Sequence, residues 1–337
     1  MDRLEDGPTI AIEVQTRDQS VSRLKRARYF LVAMAVAALG RVVVWLPHRA
    51  VRRLGSVAGW LGYFLLRHER RVARANLELA FGAGKSRPEK ARIARASMQT
   101  FAATMLGLLW APRLSREALD DLVEVDVEGL ALVREIRASG RGIIFVTPHY
   151  GDWELLGLAT GFLGIPVTII AERMRNQRLE EFLARRRAVS GNRILPNRGS
   201  ALALFKALKR GECTALLMDL TATRRHGGVW LRFFGVPVFT YAAAGALALH
   251  TGAAIIGAVA RPLPDGRMRL CYGPEIPCPS TGDFNTDLVA ANQRCLDFCE
   301  QVIREMPEPW LWTYKRWKFR PAGDTGPYPD YARPVRF

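Results

Sequence analysis

A histidine followed by two carboxylates forms the segment of the sequence best suited to chemistry. It runs from His149 to Glu154 as His-Tyr-Gly-Asp-Trp-Glu and follows the apolar stretch 142–147 and a proline. Imidazole accepts protons near neutral pH, and a carboxylate on its second nitrogen fixes the tautomer and stabilises the imidazolium. Asp152 and Glu154 are both candidates for that carboxylate, and the residues alone rank them about equally. The segment therefore predicts a general base with an acidic partner; the alternative is a histidine that caps a helix or fills a polar pocket.

The surrounding sequence predicts an α/β domain that places His149 just after a strand. From Val123 onward, short apolar strands alternate with helices, which is typical of α/β organisation. Ligands usually bind at the carboxyl ends of strands in open α/β sheets. The predicted strands cover residues 142–147, 166–170, 193–195, 214–218, 254–260 and 268–272, and the predicted helices cover 88–108, 152–162, 178–190, 200–209, 241–250 and 286–305.

Two apolar stretches near the N-terminus predict contact with a membrane. The first, 29–46, has about the minimum length of a spanning helix. The second, 54–66, is too short to span, but its aromatic residues and basic flanks suit the headgroup interface. Basic residues flank the first stretch on both sides, so charge does not fix an orientation, and a helix lying in the interface avoids the conflict. The alternative is a pair of ordinary core helices.

The composition excludes several classes of protein. The chain has 337 residues, of which 49% are hydrophobic and 24% charged, as in an ordinary globular protein. No set of apolar runs is long enough for a polytopic transporter, and five cysteines without zinc-type spacing argue against a disulfide framework. The 49 basic residues outnumber the 32 acidic ones, giving a net charge of +17. This surplus indicates an anionic partner, such as nucleic acid, lipid headgroups or an acidic carrier.

Several motifs in a consistent order resemble the lipid A biosynthesis lauroyl/myristoyl acyltransferases, within the lysophospholipid acyltransferase superfamily. The segment from His149 to Glu154 matches the H-x4-D/E motif of that superfamily. The other matches are 76–81, 197–199 with 208–211 and 217–219, the Phe-Phe-Gly-x-Pro turn at 233–237, and the tryptophan-rich stretch 309–317. The family commonly has glutamine after its aspartate, whereas Leu220 follows Asp219 here, which puts a role for that second position in doubt.

The resemblance implies acyl transfer without a covalent acyl-enzyme. His149 would take the proton from an acceptor hydroxyl, and Glu154, rather than Asp152, would orient and charge-stabilise it. The hydroxyl oxygen would then attack the thioester carbonyl of a fatty acyl donor. The resemblance also implies that Arg198 handles anionic substrate groups, since the planar guanidinium donates two parallel hydrogen bonds to phosphate. Asp219 could hold Arg198 or a substrate hydroxyl, or be a structural cap.

Other residues carry less specific predictions. Arg224, Arg225 and Arg232 form a basic cluster beside the turn at 233–237 and could meet an acidic carrier or phosphate, or form a solvated face. The tryptophans at 310, 312 and 317 could line an acyl groove, anchor at the interface or simply pack. Cys295 and Cys299 lack further ligands and are expected on a helix surface or in a core.

These observations together predict a membrane-associated O-acyltransferase with an αβα catalytic domain (glycerolipid acyltransferase-like) and an N-terminal helical anchoring region. The predicted divisions are a disordered tail (1–24), a helical membrane-associated region (25–120), the acyltransferase domain (121–322) and a C-terminal tail (323–337). The predicted acceptor is a hydroxyl of a lipid A precursor, and the donor is an acyl carrier protein or coenzyme A thioester. We expect no metal or cofactor, a monomer, and a position on the cytoplasmic face of the bacterial inner membrane.

Three alternatives remain open at this point. The acceptor could be another lipid, such as a lysophospholipid, an aminolipid or a glycolipid. The chain could also be a catalytically silent lipid-binding scaffold, although the His149/Glu154 pair argues against it. Nucleic-acid binding rests on net charge alone, because no recognition motif is present and the basic residues are dispersed. A serine hydrolase is disfavoured because the sequence lacks a Gly-x-Ser-x-Gly elbow.

Overall fold

The computed structural model describes residues 23–171, 174–196, 199–223 and 227–336. Within these residues the strands form one seven-stranded sheet and two two-stranded sheets. The strands are β1 (Val123–Val125), β2 (Ile143–Thr147), β3 (Val167–Ala171), β4 (Arg193–Pro196), β5 (Cys213–Leu217), β6 (Gly228–Phe233), β7 (Val236–Tyr241), β8 (Ala254–Pro262), β9 (Met268–Ile276), β10 (Phe319–Pro321) and β11 (Arg333–Val335).

The large sheet is mostly parallel, with the order β1-β9-β8-β2-β5-β3-β4. Five strands run in one direction, namely β8, β2, β5, β3 and β4. β9 is antiparallel to β8, and β1 is parallel to β9. β2 is therefore a central strand with parallel neighbours on both sides. Because parallel strands end at the same edge of a sheet, the residues after β2 and β5 meet there.

Helices cover both faces of the sheet and extend beyond it at the N-terminal end. They are α1 (Arg23–Val43), α2 (His48–Leu65), α3 (Arg67–Phe81), α4 (Arg87–Trp110), α5 (Val127–Ala138), α6 (Trp153–Phe162), α7 (Gln177–Arg187), α8 (Ser200–Lys209), α9 (Ala243–Thr251) and α10 (Phe284–Glu305). Five of these helices begin with a side-chain cap, namely α4, α5, α6, α7 and α10. Ser86 and Glu89 form a capping box at α4, and Asp152 caps α6 by accepting a hydrogen bond from a backbone N–H.

The alternation of side chains along the strands creates two hydrophobic cores. In β2, Ile143 and Phe145 face a core shared with α5 and α6, whereas Ile144 and Val146 face a core shared with α9 and α10. All four side chains are buried. A central strand that is apolar on both faces is what a doubly covered parallel sheet requires. The predicted α/β class and αβα layering are thus confirmed.

The helical region before the sheet shows an unusual distribution of apolar side chains. α2 buries Val51 and two glycines against the rest of the protein, but its outer face, formed by Leu54, Val57, Trp60, Leu61 and Phe64, is exposed. α1 also exposes many apolar residues, including Leu31 and Val42. None of the helices in the described ranges combines the length and apolarity needed to cross a membrane.

Most predicted elements are confirmed, and the differences are few. The predicted strands and helices from residue 142 onward lie within a few residues of those in the structure. The sequence did not separate α5 from its surroundings, nor identify the hairpin of β6 and β7, although its turn at Phe234 and Gly235 was expected. Residues 323–336, predicted as a tail, include β11, which pairs with β10. Most of the predicted N-terminal tail lies outside the described residues.

Candidate active site

His149 and Asp219 lie side by side because their strands are parallel neighbours. The register pairs Thr147 of β2 with Leu217 of β5, and both residues of interest lie two positions beyond that pair. His149 Nδ1 is 2.8 Å from Asp219 Oδ1, and the His149 backbone N–H donates to Asp219 Oδ2 at 2.8 Å. Trp310 Nε1–H donates to the same Oδ2 at 2.8 Å. Asp219 therefore fixes both the ring and the backbone of His149.

This arrangement determines the tautomer of the imidazole and its basicity. A carboxylate that accepts from Nδ1–H leaves Nε2 as the proton acceptor of the neutral ring. Burial alone would lower the pKa of His149, but the adjacent Asp219 carboxylate and, more weakly, Glu154 raise it above its ordinary value. Burial opposes ionisation of Asp219, yet His149 and the hydrogen bonds from His149 and Trp310 lower the pKa of that carboxyl. Both effects favour an imidazolium–carboxylate pair once His149 has accepted a proton.

Glu154 is bound to an arginine rather than to His149. Arg187, at the end of α7, donates to Glu154 through Nε at 2.8 Å and through Nη2 at 2.6 Å. Such a two-point ion pair directs both carboxylate oxygens towards the guanidinium. The contact that the sequence assigned to Glu154 is therefore made by Asp219 in the structure. Sequence spacing within one segment could not reveal a partner on the neighbouring strand.

Asp152, the other sequence candidate, also points away from the imidazole. Its Oδ2 forms an ion pair of 2.8 Å with Arg52 of α2, and its Oδ1 accepts the Leu155 N–H at 3.0 Å. The side chain is only 2% exposed. Burial raises the pKa of Asp152, and Arg52 opposes that rise. In the structure, Asp152 thus serves as a helix cap tied to α2.

The backbone between His149 and α6 depends on Gly151. Its φ is +59°, in the left-handed region that favours glycine. A Cβ at this position would also lie 1.8 Å from the Ala260 carbonyl oxygen. Because Gly151 carries no side chain, the chain can turn sharply from β2 into α6, and His149 stays outside the helix.

The tryptophan-rich C-terminal stretch holds the ends of both strands. Trp310, Trp312 and Trp317 are fully buried, so packing explains them. The contacts from this stretch are Pro309 O with Gly151 N–H (3.2 Å), Leu311 N–H with His149 O (3.0 Å), Trp310 Nε1–H with Asp219 (2.8 Å), Tyr314 OH with Thr221 N–H (3.0 Å) and Arg316 Nη1–H with Leu220 O (3.1 Å). This stretch therefore binds the two loops that follow β2 and β5.

A cavity of about 410 Å³ opens beside His149. It lies between α6 and the sheet, with residues of α4 and α7 at its sides. Its polar side chains near the histidine are Glu154 and Arg187, whereas Phe145, Val167 and Ala258 make its deeper walls apolar. A cavity with His149 beside it and mostly apolar walls suits an apolar chain whose reactive group ends at the histidine.

A family model for the bacterial lipid A biosynthesis acyltransferases matches residues 18–319, which is most of the chain. The chain belongs to that family. It is therefore an enzyme that transfers acyl groups, and the family resemblance inferred from the sequence is confirmed.

Individual relatives of this acyltransferase differ in the acceptors that their names state. The chain is 28% identical over 270 residues to the lipid A biosynthesis palmitoleoyltransferase of Escherichia coli, and the match covers 79% of this chain and 83% of that protein. It is 26% identical over 312 residues to the lipid A biosynthesis lauroyltransferase of Escherichia coli, covering 89% and 95%. It is also 26% identical over 230 residues to the phosphatidylinositol mannoside acyltransferase of Mycolicibacterium smegmatis, covering 66% and 71%.

Of the arginines that the sequence predicted to bind substrate or carrier, the structure describes Arg232. Arg198, Arg224 and Arg225 lie outside the described residues. Arg232 is on β6, exposed, with its Nη1 donating to the Gly235 carbonyl at 3.0 Å, and it does not line the cavity beside His149. A substrate-binding role for Arg232 stays a prediction.

The sequence did not identify two residues that bind the carboxylates of the site, Arg187 and Arg52. Arg187 belongs to the run Arg185-Arg186-Arg187, and only the phase of α7 selects the residue that meets Glu154. Arg52 lies 100 residues from its partner Asp152. A buried aspartate at a helix start needs a cation, which is the one signal that could have prompted a search for Arg52.

Cys295, Cys299 and His250 do not line the cavity beside His149. Cys295 and Cys299 are buried in the core below α10, as expected. His250 stacks on Phe284 with ring centroids 4.9 Å apart. Across the described ranges, no cluster of three or more histidine, cysteine, aspartate or glutamate side chains is arranged to hold a metal ion.

Proposed function

We propose that this acyltransferase moves a fatty acyl chain from a thioester donor to a hydroxyl of a lipid A precursor, with His149 as the general base. The observation that carries the proposal is the His149–Asp219 pair at the mouth of an apolar cavity. The names of the two Escherichia coli relatives support the acceptor. The donor is an acyl carrier protein or coenzyme A thioester.

The proposed reaction follows from the tautomer of His149. Nε2 takes the proton of the acceptor hydroxyl while the oxygen of that hydroxyl attacks the thioester carbonyl carbon. The carbon–sulfur bond then breaks, the ester remains on the acceptor, and the imidazolium returns the proton to the departing thiolate. Asp219 holds Nδ1–H and stabilises the positive charge that forms between the two proton transfers. The reaction needs no cofactor beyond the donor.

The cavity is proposed to hold the acyl chain of the donor. Its walls are largely aliphatic and aromatic, and they extend from His149 towards the amino ends of the strands at Val167. Burying methylenes there releases roughly 0.8 kcal/mol for each group removed from water. The depth of the cavity would therefore influence which chain lengths are accepted.

Glu154 and Arg187 are proposed to shape the polar mouth of this cavity. Their ion pair is largely buried, with the carboxylate 8% and the guanidinium 26% exposed. Arg187 is the described cation on the cavity wall nearest to the Glu154 carboxylate, so it is suited to guide the thioester or an anionic acceptor group past His149. The negative charge of Glu154 adds to the basicity of His149 without touching it.

The outer face of α2 and the exposed side of α1 are proposed to dock on the cytoplasmic surface of the bacterial inner membrane. Both helices contain several arginines, and their sequences contain no aspartate or glutamate. Exposed apolar side chains bordered by cations suit a helix that lies in an anionic interface. This placement brings a lipid acceptor to the cavity mouth, and the chain acts as a monomer.

A second acceptor is favoured by one observation. One relative of the chain is named a phosphatidylinositol mannoside acyltransferase, and this name states a different glycolipid acceptor. The same base and cavity would serve any hydroxyl presented at the mouth. A glycolipid other than a lipid A precursor is therefore the alternative acceptor.

Mass spectrometry of total lipids tests the proposal. Cells lacking the gene are complemented with the wild-type chain or with His149→Ala, and the lipids are compared. A lipid A species heavier by one acyl group only with the wild-type chain supports the proposal, and the added mass gives the chain length. An acyl gain on another glycolipid would support the alternative acceptor. No change in any lipid would refute both.

A further inference from the structure

The catalytic segment is tied to the membrane-facing helices by a buried ion pair. Asp152 lies three residues after His149 and two before Glu154, and its carboxylate is 2% exposed. Arg52 reaches it from the inner side of α2, with Nη1 2.8 Å from Oδ2 and its own side chain 19% exposed. Within the described residues, this is the salt bridge that Asp152 makes. A carboxylate is not needed to cap α6, because asparagine or serine would also accept the Leu155 N–H.

Two further contacts join the same parts of the molecule. Thr104 of α4 donates its hydroxyl to the Gly151 carbonyl at 3.1 Å. Phe101 of α4 stacks on Trp153, with ring centroids 6.1 Å apart, and Trp153 contacts the His149 ring edge to face at 5.1 Å. A continuous series of contacts thus leads from α4 to the imidazole.

α2 and α4 are packed too closely to move independently. A Cβ at Gly55 would lie 2.5 Å from the Ala103 Cα, and one at Gly59 would lie 2.3 Å from the Met98 carbonyl oxygen. The two backbones are therefore in direct contact, and the pair behaves as one platform. Arg52 extends from this platform to the start of α6.

From these contacts we infer that Arg52 is a positioning residue, which acts through Asp152 to set the angle at which the His149–Glu154 segment leaves the sheet. The position of α2, the helix whose outer face is exposed, then affects the orientation of the His149–Glu154 segment. The inference rests on the proposed function, since it concerns the efficiency of His149 as a base. Displacements of about 1 Å at a reacting group can cost roughly a hundredfold in rate.

A purely structural role for the pair makes a different prediction. Removing one member of a buried ion pair leaves an unpaired charge and destabilises the fold, whereas replacing both members with uncharged groups is often nearly neutral. If the pair only balances charge, activity should return together with stability in a double variant. If the pair positions the segment, stability should return without activity.

The test compares Arg52→Met with the double variant Arg52→Met/Asp152→Asn. Thiol release is followed with dodecanoyl thioesters of coenzyme A and of acyl carrier protein, using the donor that the wild-type protein turns over faster. We expect Arg52→Met to lower both Tm and kcat. The double variant should regain a Tm close to that of the wild type, while kcat stays at least about tenfold lower with KM for the donor within about twofold.

Controls separate the possible outcomes. Arg116→Met/Asp120→Asn makes the same changes in an exposed ion pair of 3.3 Å whose residues do not line the cavity beside His149, and it should leave kcat unchanged. Arg52→Lys keeps a cation beside Asp152 but not the guanidinium geometry. Charge balance alone predicts that Arg52→Lys has both the Tm and the kcat of the wild type, whereas positioning predicts a recovered Tm with kcat still below the wild type, and this comparison decides the matter if the double variant stays destabilised. Recovery of kcat along with Tm, in the double variant or in Arg52→Lys, would overturn the inference. A fully active His149→Ala would instead overturn the proposed function.

Discussion

Two buried carboxylates beside the cavity, Asp219 and Glu154, have different partners. Asp219 binds an imidazole that can gain or lose a proton, and it also accepts hydrogen bonds from the His149 backbone and Trp310. Glu154 binds Arg187 through two hydrogen bonds. Because arginine stays protonated, the second pair holds a fixed charge balance. Under the proposed mechanism, Asp219 would control the basicity of His149, whereas Glu154 and Arg187 would maintain the shape and charge of the cavity mouth.

The largest effect is expected when the base itself is removed. His149→Ala should reduce kcat/KM for acyl transfer by about 10²- to 10⁴-fold, the range associated with general acid–base catalysis. Steady-state thiol release measures the loss, and circular dichroism checks the fold. Activity near that of the wild type would contradict a role for His149 as the base.

Asp219→Asn should have the next largest effect, a loss of about a hundredfold or more in kcat, because the imidazolium is no longer stabilised by a charge. The folded-state pKa of Asp219 is lowered, so its ionisation contributes stability above the unfolded pKa, and this contribution is lost as pH falls through the folded pKa. The variant should therefore show a weaker dependence of unfolding free energy on acidic pH. Denaturant titrations between about pH 3 and 7 would measure it. An unchanged pH dependence would exclude Asp219 as the source.

Glu154→Gln should cost less, about tenfold in kcat/KM, because Glu154 does not touch the imidazole. The loss arises mainly from leaving Arg187 without its partner in a largely buried position. A double-mutant cycle with Arg187→Gln measures the coupling between the two side chains. Additive losses in that cycle would show that the ion pair has no joint role in activity.

Trp310→Phe is expected to have the smallest effect, a loss of a few fold in kcat, since the ring stays in place and only its N–H is lost. The indole hydrogen bond helps to lower the pKa of Asp219. Without it, the Asp219 carboxylate is a stronger base, and the pKa of His149 should rise. The acidic limb of the pH–rate profile should therefore move to higher pH; a shift to lower pH would contradict this account of the Trp310 contact.

The sequence was sufficient for the fold class, most strands and the position of the candidate base. Apolar runs with regular spacing predicted β2 and β5 within one residue at each end, because a buried strand is specified locally. The position of His149 after β2 followed from the same pattern. These features depend on residues close together in the chain.

Contacts that depend on strand order or helix phase could not be predicted in this way. Asp219 is 70 residues from His149, and their adjacency arises from the order of β2 and β5 in the sheet. Arg187 is one of three consecutive arginines, and Arg52 lies in a helix for which the sequence predicted membrane contact or ordinary core packing. Each partner was visible as a charged residue, but its pairing is a property of the folded chain.

The most direct test of this account compares the pH dependence of kcat/KM in Asp219→Asn and Glu154→Gln under the same conditions. In the wild type, activity should rise with pH through a pKa above the usual 6.5 of histidine. Asp219→Asn should move this limb clearly to lower pH, because burial then dominates, and Glu154→Gln should move it less in the same direction. A larger shift in Glu154→Gln than in Asp219→Asn would contradict the assignment of Asp219 as the partner of the catalytic histidine.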